Sequence, residues 1–196
     1  LAGVDGSAAR VLYRDREVAD IQPRAWSADG SRIFAIAIRK DGTNSIVSVS
    51  ASDGSMRVLK SLGWEVPHTA CLAGDGRHLV YDAPEDDPDK RDISALAVDG
   101  SSEFALVKHA ANDFVLGCAP RSNSILFASD RTGTVDAWVI GLGDGKPDGP
   151  PRLVKKEIGR IRPFGFTSSG SFFYGVFNDS NDVYVARLDP RTHRLT

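Results

Sequence analysis

The chain has 196 residues, 41% of them hydrophobic and 26% charged, with a formal net charge of −2. This length is enough for one substantial core, and the composition excludes disorder of the chain as a whole. Lys and Arg total 24 against 26 Asp and Glu, leaving no basic excess for a nucleic-acid surface, and no apolar run approaches the roughly 18 residues that cross a bilayer.

In chain order, residues 1–13 (LAGVDGSAARVLY) read as the end of a unit: strand tail, Asp5-Gly6 turn and closing strand. A phrase then recurs four times: WSADGSRIF at 26–34, LAGDGRHLV at 72–80, CAPRSNSIL at 118–126 and FTSSGSFFY at 166–174, with starts 46, 46 and 48 residues apart. Asp-Gly at its centre suits a tight hairpin, because Gly tolerates positive φ and Asp bonds its own backbone. Arg121-Ser122 and Ser169-Gly170 in the later copies suggest longer or looser turns. Each turn is followed by a β-rich run: 33–38, 79–81, 125–129 and 172–177. After a polar loop comes a second run: 45–50, 93–98, 135–142 and 182–188. A second turn follows, and MRVLK, EFALV, PRLVK or HRLT closes the unit. The DGKPDGPP stretch at 144–151 reads as a rigid turn within its unit. No segment reads as a long amphipathic helix.

Four short strands per unit of about 46 residues describe the blade of a β-propeller. The expected fold is all-β, with about four four-stranded antiparallel blades at 14–60, 61–107, 108–155 and 156–196. Residues 1–13 end a preceding blade, and the rest of the chain completes a ring of roughly six to eight blades. The chain starts at Leu1 without a signal peptide, as a mature product or an excised piece would.

Cys118 occupies the Trp26 slot and Cys71 the position before it, which favours two buried thiols acting as small hydrophobes over a disulfide. No cysteine pair has zinc spacing, and His68, His78, His109 and His193 are scattered. No G-x-S-x-G, H-E-x-x-H or P-loop is present, so no catalytic residue, cofactor or metal is assigned. Residues 82–92 (DAPEDDPDKRD) are the most charged stretch. Pro84 and Pro88 break regular structure there, and a solvated loop is favoured over a calcium site because EF-hand spacing is lacking.

Two loop sets share one rim of such a blade stack. One joins each blade to the next and holds Arg24, Trp64, Glu65, His68, His109, Asn112, Asp113, Arg160 and Arg162. The other joins the middle strands and covers 40–44, 84–91, 130–134 and 178–182. Arg24, Trp64, His68, Asp113, Arg160 and Arg162 are the candidate partner-binding residues. Trp64 either anchors a partner or packs between blades. Asp130 and Arg131 are expected to bond within the blade or to a neighbour.

The phrase WSADGSRI, and the run ILFASDRTGTVDAWVI at 125–140, resemble the repeats of the bacterial TolB-like propellers, also described as WD40-like or PD40 repeats. The resemblance covers essentially the whole chain, with Leu72, Cys118 and Phe166 in place of Trp in the later copies. The residue in the Trp slot is expected to fill the space between blades. The resemblance implies a non-catalytic domain that binds a protein or peptide, or serves as a scaffold, in the periplasm or another extracytoplasmic place. Related propellers gate substrates in prolyl-oligopeptidase-like and tricorn-like peptidases, and others serve as sensor domains of bacterial regulators or receptor kinases. A calcium-centred lactonase would need acids converging on the channel, and the innermost segments RAW, TAC, LGC and FGF offer none.

Overall fold

At the first repeated turn, Gly30 sits at φ 70°, a left-handed angle that a Cβ would oppose. The Asp29 carboxylate accepts from Ser27 Oγ at 2.6 Å and from the Ser31 backbone N–H at 3.0 Å. The turn is therefore tied by its own side chains, and the flanking apolar segments pair. This is a computed structural model, and it describes residues 1–84, 87 and 90–177.

The first sheet is β1 (Val18–Trp26), β2 (Arg32–Arg39), β3 (Asn44–Ser50) and β4 (Met56–Gly63). The second is β5 (Ala70–Leu72), β6 (His78–Pro84), β7 (Arg91–Ala97) and β8 (Glu103–Val107). The third is β9 (Asp113–Cys118), β10 (Ser124–Ser129), β11 (Asp136–Gly143) and β12 (Lys146–Lys155). In each, four antiparallel strands lie in sequence order, and β13 (Ile161–Phe166) pairs with β14 (Phe172–Val176) in a fourth sheet. The chain is all-β among its described residues, with four-stranded antiparallel blades of a partial propeller. The strands expected at 182–188 and in HRLT lie outside the described residues.

The core lies between blades. Phe34, Ile46 and Leu62 of the first blade meet Leu79, Tyr81 and Leu96 of the second. Val80, Ile93 and Ala95 of the second meet Val115, Ile125, Phe127 and Ile140 of the third. Middle strands are covered on both faces, so Phe34–Ala37 are buried in succession rather than alternately. On the far side of the first blade, Leu12 and Tyr13 pack on Ala35, Ala37, Val47 and Val49.

The segment around Leu12 repeats a contact made further along. A Cβ at Gly54 would meet the Leu12 carbonyl oxygen at 1.8 Å, and one at Gly100 would meet that of Leu59 at 2.9 Å. Arg10 donates to the carbonyls of Ala51 and Ser52, and Arg57 to that of Asp99. Residues 10–13 thus stand against the first blade as β4 stands against the second.

Several expectations are corrected. Cys71 and Cys118 form a disulfide with Cα atoms 5.8 Å apart. It joins β5 to β9, the innermost strands of neighbouring blades. Trp26 is 49% exposed rather than wedged between blades. Leu72 packs into the core shared with the first blade, Cys118 into that shared with the second, and Phe166 lies close to Gly117 of the third. In these later copies the slot therefore faces the preceding blade.

The variant turns are neither longer nor looser. Ala119 N–H bonds Ser124 O at 2.9 Å over the same span as Ser27 N–H to Arg32 O, with Arg121 taking the left-handed angle (φ 59°) after Pro120. The fourth turn closes one residue sooner, by Thr167 N–H to Ser171 O. In DGKPDGPP only Asp144-Gly145 is a turn. The rest lies on β12, an outer strand that tolerates proline, with Gly149 (φ 77°) at a register shift. Pro84 pairs with Arg91 at the end of its hairpin and does not break it.

Candidate functional site

Loop backbone N–H groups at the end of a blade have no strand partner, and burying them unpaired is costly. Here carboxylates and amides at the strand ends accept them. His68 N–H bonds Asp82 Oδ1 at 2.8 Å, His109 N–H bonds Asp92 Oδ1 at 3.1 Å and Glu157 N–H bonds Asp136 Oδ1 at 2.7 Å. Arg91 N–H bonds Asn112 Oδ1 at 3.1 Å, and Asn112 N–H bonds Asp130 Oδ1 at 2.9 Å. The blade-to-blade loops and the mid-blade loops are stitched into one rim.

Three of the acids near this rim are fully buried: Asp82, Asp113 and Asp136. Asp82 Oδ1 also accepts from Arg91 Nη1 at 3.0 Å, and its Oδ2 accepts from Val115 N–H of the next blade at 3.0 Å. Burial pushes its carboxyl up, against the pull of these bonds and of Arg91. Asp113 Oδ1 accepts from Arg131 Nη2 at 2.9 Å, while its Oδ2 has no hydrogen-bond partner, and burial raises its carboxyl too. The Arg131 guanidinium lies 5.3 Å from the Phe127 ring centre and 4.9 Å from that of Trp138, and its Nε donates to Ser129 Oγ at 2.9 Å. Asp136 is held below the usual carboxylate range, first by the Thr132 hydroxyl and then by Glu157 N–H.

The six candidate residues disperse. His68, Arg160 and Arg162 converge on a cavity of about 470 Å³ between the third and fourth blades. Arg24 donates from Nη2 to Gln22 Oε1 at 2.7 Å and has a buried Nε without a partner. It borders a different cavity of about 420 Å³ along the innermost strands, beside Cys71, Cys118 and Phe164. Trp64 does not pack between blades: it is 74% exposed and lies over Gly42, where a Cβ would sit 2.3 Å from the ring. Asp113 has 0% exposure, so it cannot touch a partner and braces Arg131 instead. Asp130 and Arg131 bond within their blade region as expected.

The charged stretch is more structured than a solvated loop at both ends. Asp82 is buried, and Asp92 caps His109 N–H; Glu85, Asp86, Pro88 and Asp89 lie outside the described residues. Among the described residues no three His, Cys, Asp or Glu side chains converge as metal ligands. No described helix is long and apolar enough to cross a membrane. The residues missed from sequence include Asp82 and Asp136; for Asp82 the one signal was an acid directly after the apolar run LVY.

No family model and no curated protein matches the sequence. Solved structures do match by shape. TolB from Acinetobacter baumannii superposes with a TM-score of 0.68 at 16% identity, covering 99% of this chain and 46% of that one. A putative TolB from Agrobacterium tumefaciens gives 0.59 at 17%, covering 81% and 58%. A puromycin-hydrolyzing peptidase of Mycobacterium tuberculosis gives 0.59 at 15%, covering 89% and 30%. The chain thus spans about half the length of the two TolB structures. Its fold is that of a β-propeller, with TolB-like propellers among its structural neighbours.

Proposed function

We propose that this chain is a non-catalytic protein- or peptide-binding and scaffolding part of a bacterial TolB-like propeller, working outside the cytoplasm. One observation carries the reading: buried carboxylates fasten the rim loops, and the fastened rim presents Trp64, His68, Arg160 and Arg162 to solvent. A preorganised rim loses little freedom on binding, and an exposed aromatic side chain suits a protein-contact anchor. The rest of the same polypeptide would complete the ring. The test is affinity capture by the full-length protein with a photo-crosslinker at Glu65, beside an intact Trp64. A reproducible crosslinked partner supports the role; turnover of a substrate by this domain, with no partner captured, defeats it.

A second reading has support in the likeness to a peptidase of which the matched part is 30%. There the propeller would gate substrates for a hydrolase elsewhere in the polypeptide. A G-x-S-x-G segment in the same gene, with hydrolysis that depends on it, would select that reading over the first.

A further inference from the structure

The cavity between the third and fourth blades has a built chemistry. Val115, Leu116 and Ala128 are buried core residues that form its floor, and Phe114 and Ile161 continue that wall. Its mouth carries His68, Arg160 and Arg162, and no Asp or Glu lines it among the described residues. Arg160 has an interaction of its own, so the unspent charge is that of Arg162, which makes no ion pair among the described residues. The His68 ring stands edge-on to Phe114, 5.8 Å between ring centres, and its backbone is pinned by Asp82. Its imidazole is therefore held at the lip of the cavity. Val135, another lining residue, is fixed by its carbonyl, which accepts from Ile158 N–H at 2.9 Å.

We propose that this cavity binds an apolar carboxylate, with one aromatic or branched side chain on the floor and the carboxylate against Arg162 and His68. A volume of about 470 Å³ suits one such group and not a folded segment. The planar guanidinium forks onto a carboxylate, and such charge-assisted bonds are about twice as strong as neutral ones. A cationic ligand would meet like charge, and a neutral one would leave Arg162 unpaired. A free N-acyl amino acid and the C-terminal residue of a peptide present the same chemistry. The peptide source rests on the binding role proposed above; the free acid does not.

The experiment titrates the full chain with N-acetyl-L-phenylalanine, its C-terminal amide, and a pentapeptide ending in Phe as acid or amide, followed by calorimetry and by amide shifts at Val115 and Ile161. The acid should bind and the amide should bind at least about tenfold more weakly. Arg162→Ala should erase that preference, Arg162→Lys should keep part of it, and Arg152→Ala on β12 should change nothing. Equal binding of acid and amide overturns the proposal. So do an unaffected Arg162→Ala variant and an absence of saturable binding by both acids. Binding of the small acid but not the peptide acid assigns the site to a free metabolite-like acid. In that case the cavity stands and the peptide-binding role must be sought elsewhere on the rim. Capture of a protein partner unchanged by Arg162→Ala, with acid binding lost, likewise separates the two.

Discussion

Asp82 and Val115 belong to different blades, and the carboxylate of the first accepts the backbone N–H of the second at 3.0 Å. The same side chain holds Arg91 and the His68 backbone. One buried acid therefore fixes a strand, a loop and the neighbouring blade together. Replacing it with alanine would strand two backbone donors and leave the Arg91 guanidinium without its carboxylate, with only the Val66 carbonyl, among the described residues, to accept from it. We expect Asp82→Ala to cost about 3 kcal/mol, the low end for breaking a buried pair because Arg91 is partly exposed. Asp82→Asn, which keeps an acceptor, should cost less. Urea unfolding monitored by tryptophan fluorescence measures both; a cost for Asp82→Ala below about 0.5 kcal/mol, the size of an ordinary surface change, would reject the stitched-rim account.

The turn acids set the response to low pH. Asp29 is held down to about 2, chiefly by the Ser27 hydroxyl, and Asp53 to about 2, chiefly by Ser55 N–H. A carboxyl lowered on folding contributes stability that is present above its unfolded value of about 3.9 and is lost as pH falls towards the folded value. Asp82 and Asp113 act in the opposite sense, because burial raises them and their cost grows as pH rises through their ionisation. Thermal melts from about pH 5 to about pH 2 should show a falling midpoint, with a shallower fall in the Asp29→Asn/Asp53→Asn double variant. Identical slopes would mean the turns make no such contribution.

The Cys71–Cys118 bond closes a sequence separation of 47 residues. Removing it frees that loop in the unfolded chain and should cost about 2–4 kcal/mol. A Cys71→Ala/Cys118→Ala protein should melt lower and become indifferent to dithiothreitol, while the parent protein should shift towards it on reduction. Equal melting of parent and variant under oxidising conditions would argue against the cross-link.

Two glycines separate strain from contact. A Cβ at Gly74 would lie 2.0 Å from the Ser122 carbonyl oxygen of the next blade, whereas one at Gly30 meets nothing within 4 Å and suffers only from φ 70°. Gly74→Ala should cost at least about 1–3 kcal/mol by overpacking, and Gly30→Ala about 1 kcal/mol. Chemical denaturation that ranks them the other way would contradict the blade spacing.

Trp64 should matter for binding and not for folding. At 74% exposure its removal leaves the core untouched, so Trp64→Ala should change stability by less than about 0.5 kcal/mol. Partner capture should fall sharply. A large loss of stability would show that its seat on Gly42 is structural.

Much of the blade pattern was legible because turns and strands are local. Asp29-Gly30 and the run IFAIAI announce themselves without reference to the rest of the chain. What escaped depends on how neighbouring blades meet. Equivalent positions in two blades do not face each other, so Cys71 and Cys118, one place out of step, looked unmatched although β5 and β9 bring them together. Trp26 matched the motif closely yet is half exposed, whereas Leu72 and Cys118 in the same slot pack against the blade before them. Asp82 and Asp113 carry charges that composition assigns to the surface, and only the loop amides and arginines that need acceptors explain their burial.

The cross-link between the innermost strands also has a mechanical consequence. It ties the second and third blades covalently, whereas the junctions on either side are held, among the described residues, by packing and hydrogen bonds. The cavity carrying His68 and Arg162 lies at one of these junctions without a cross-link, so widening it would break no covalent bond.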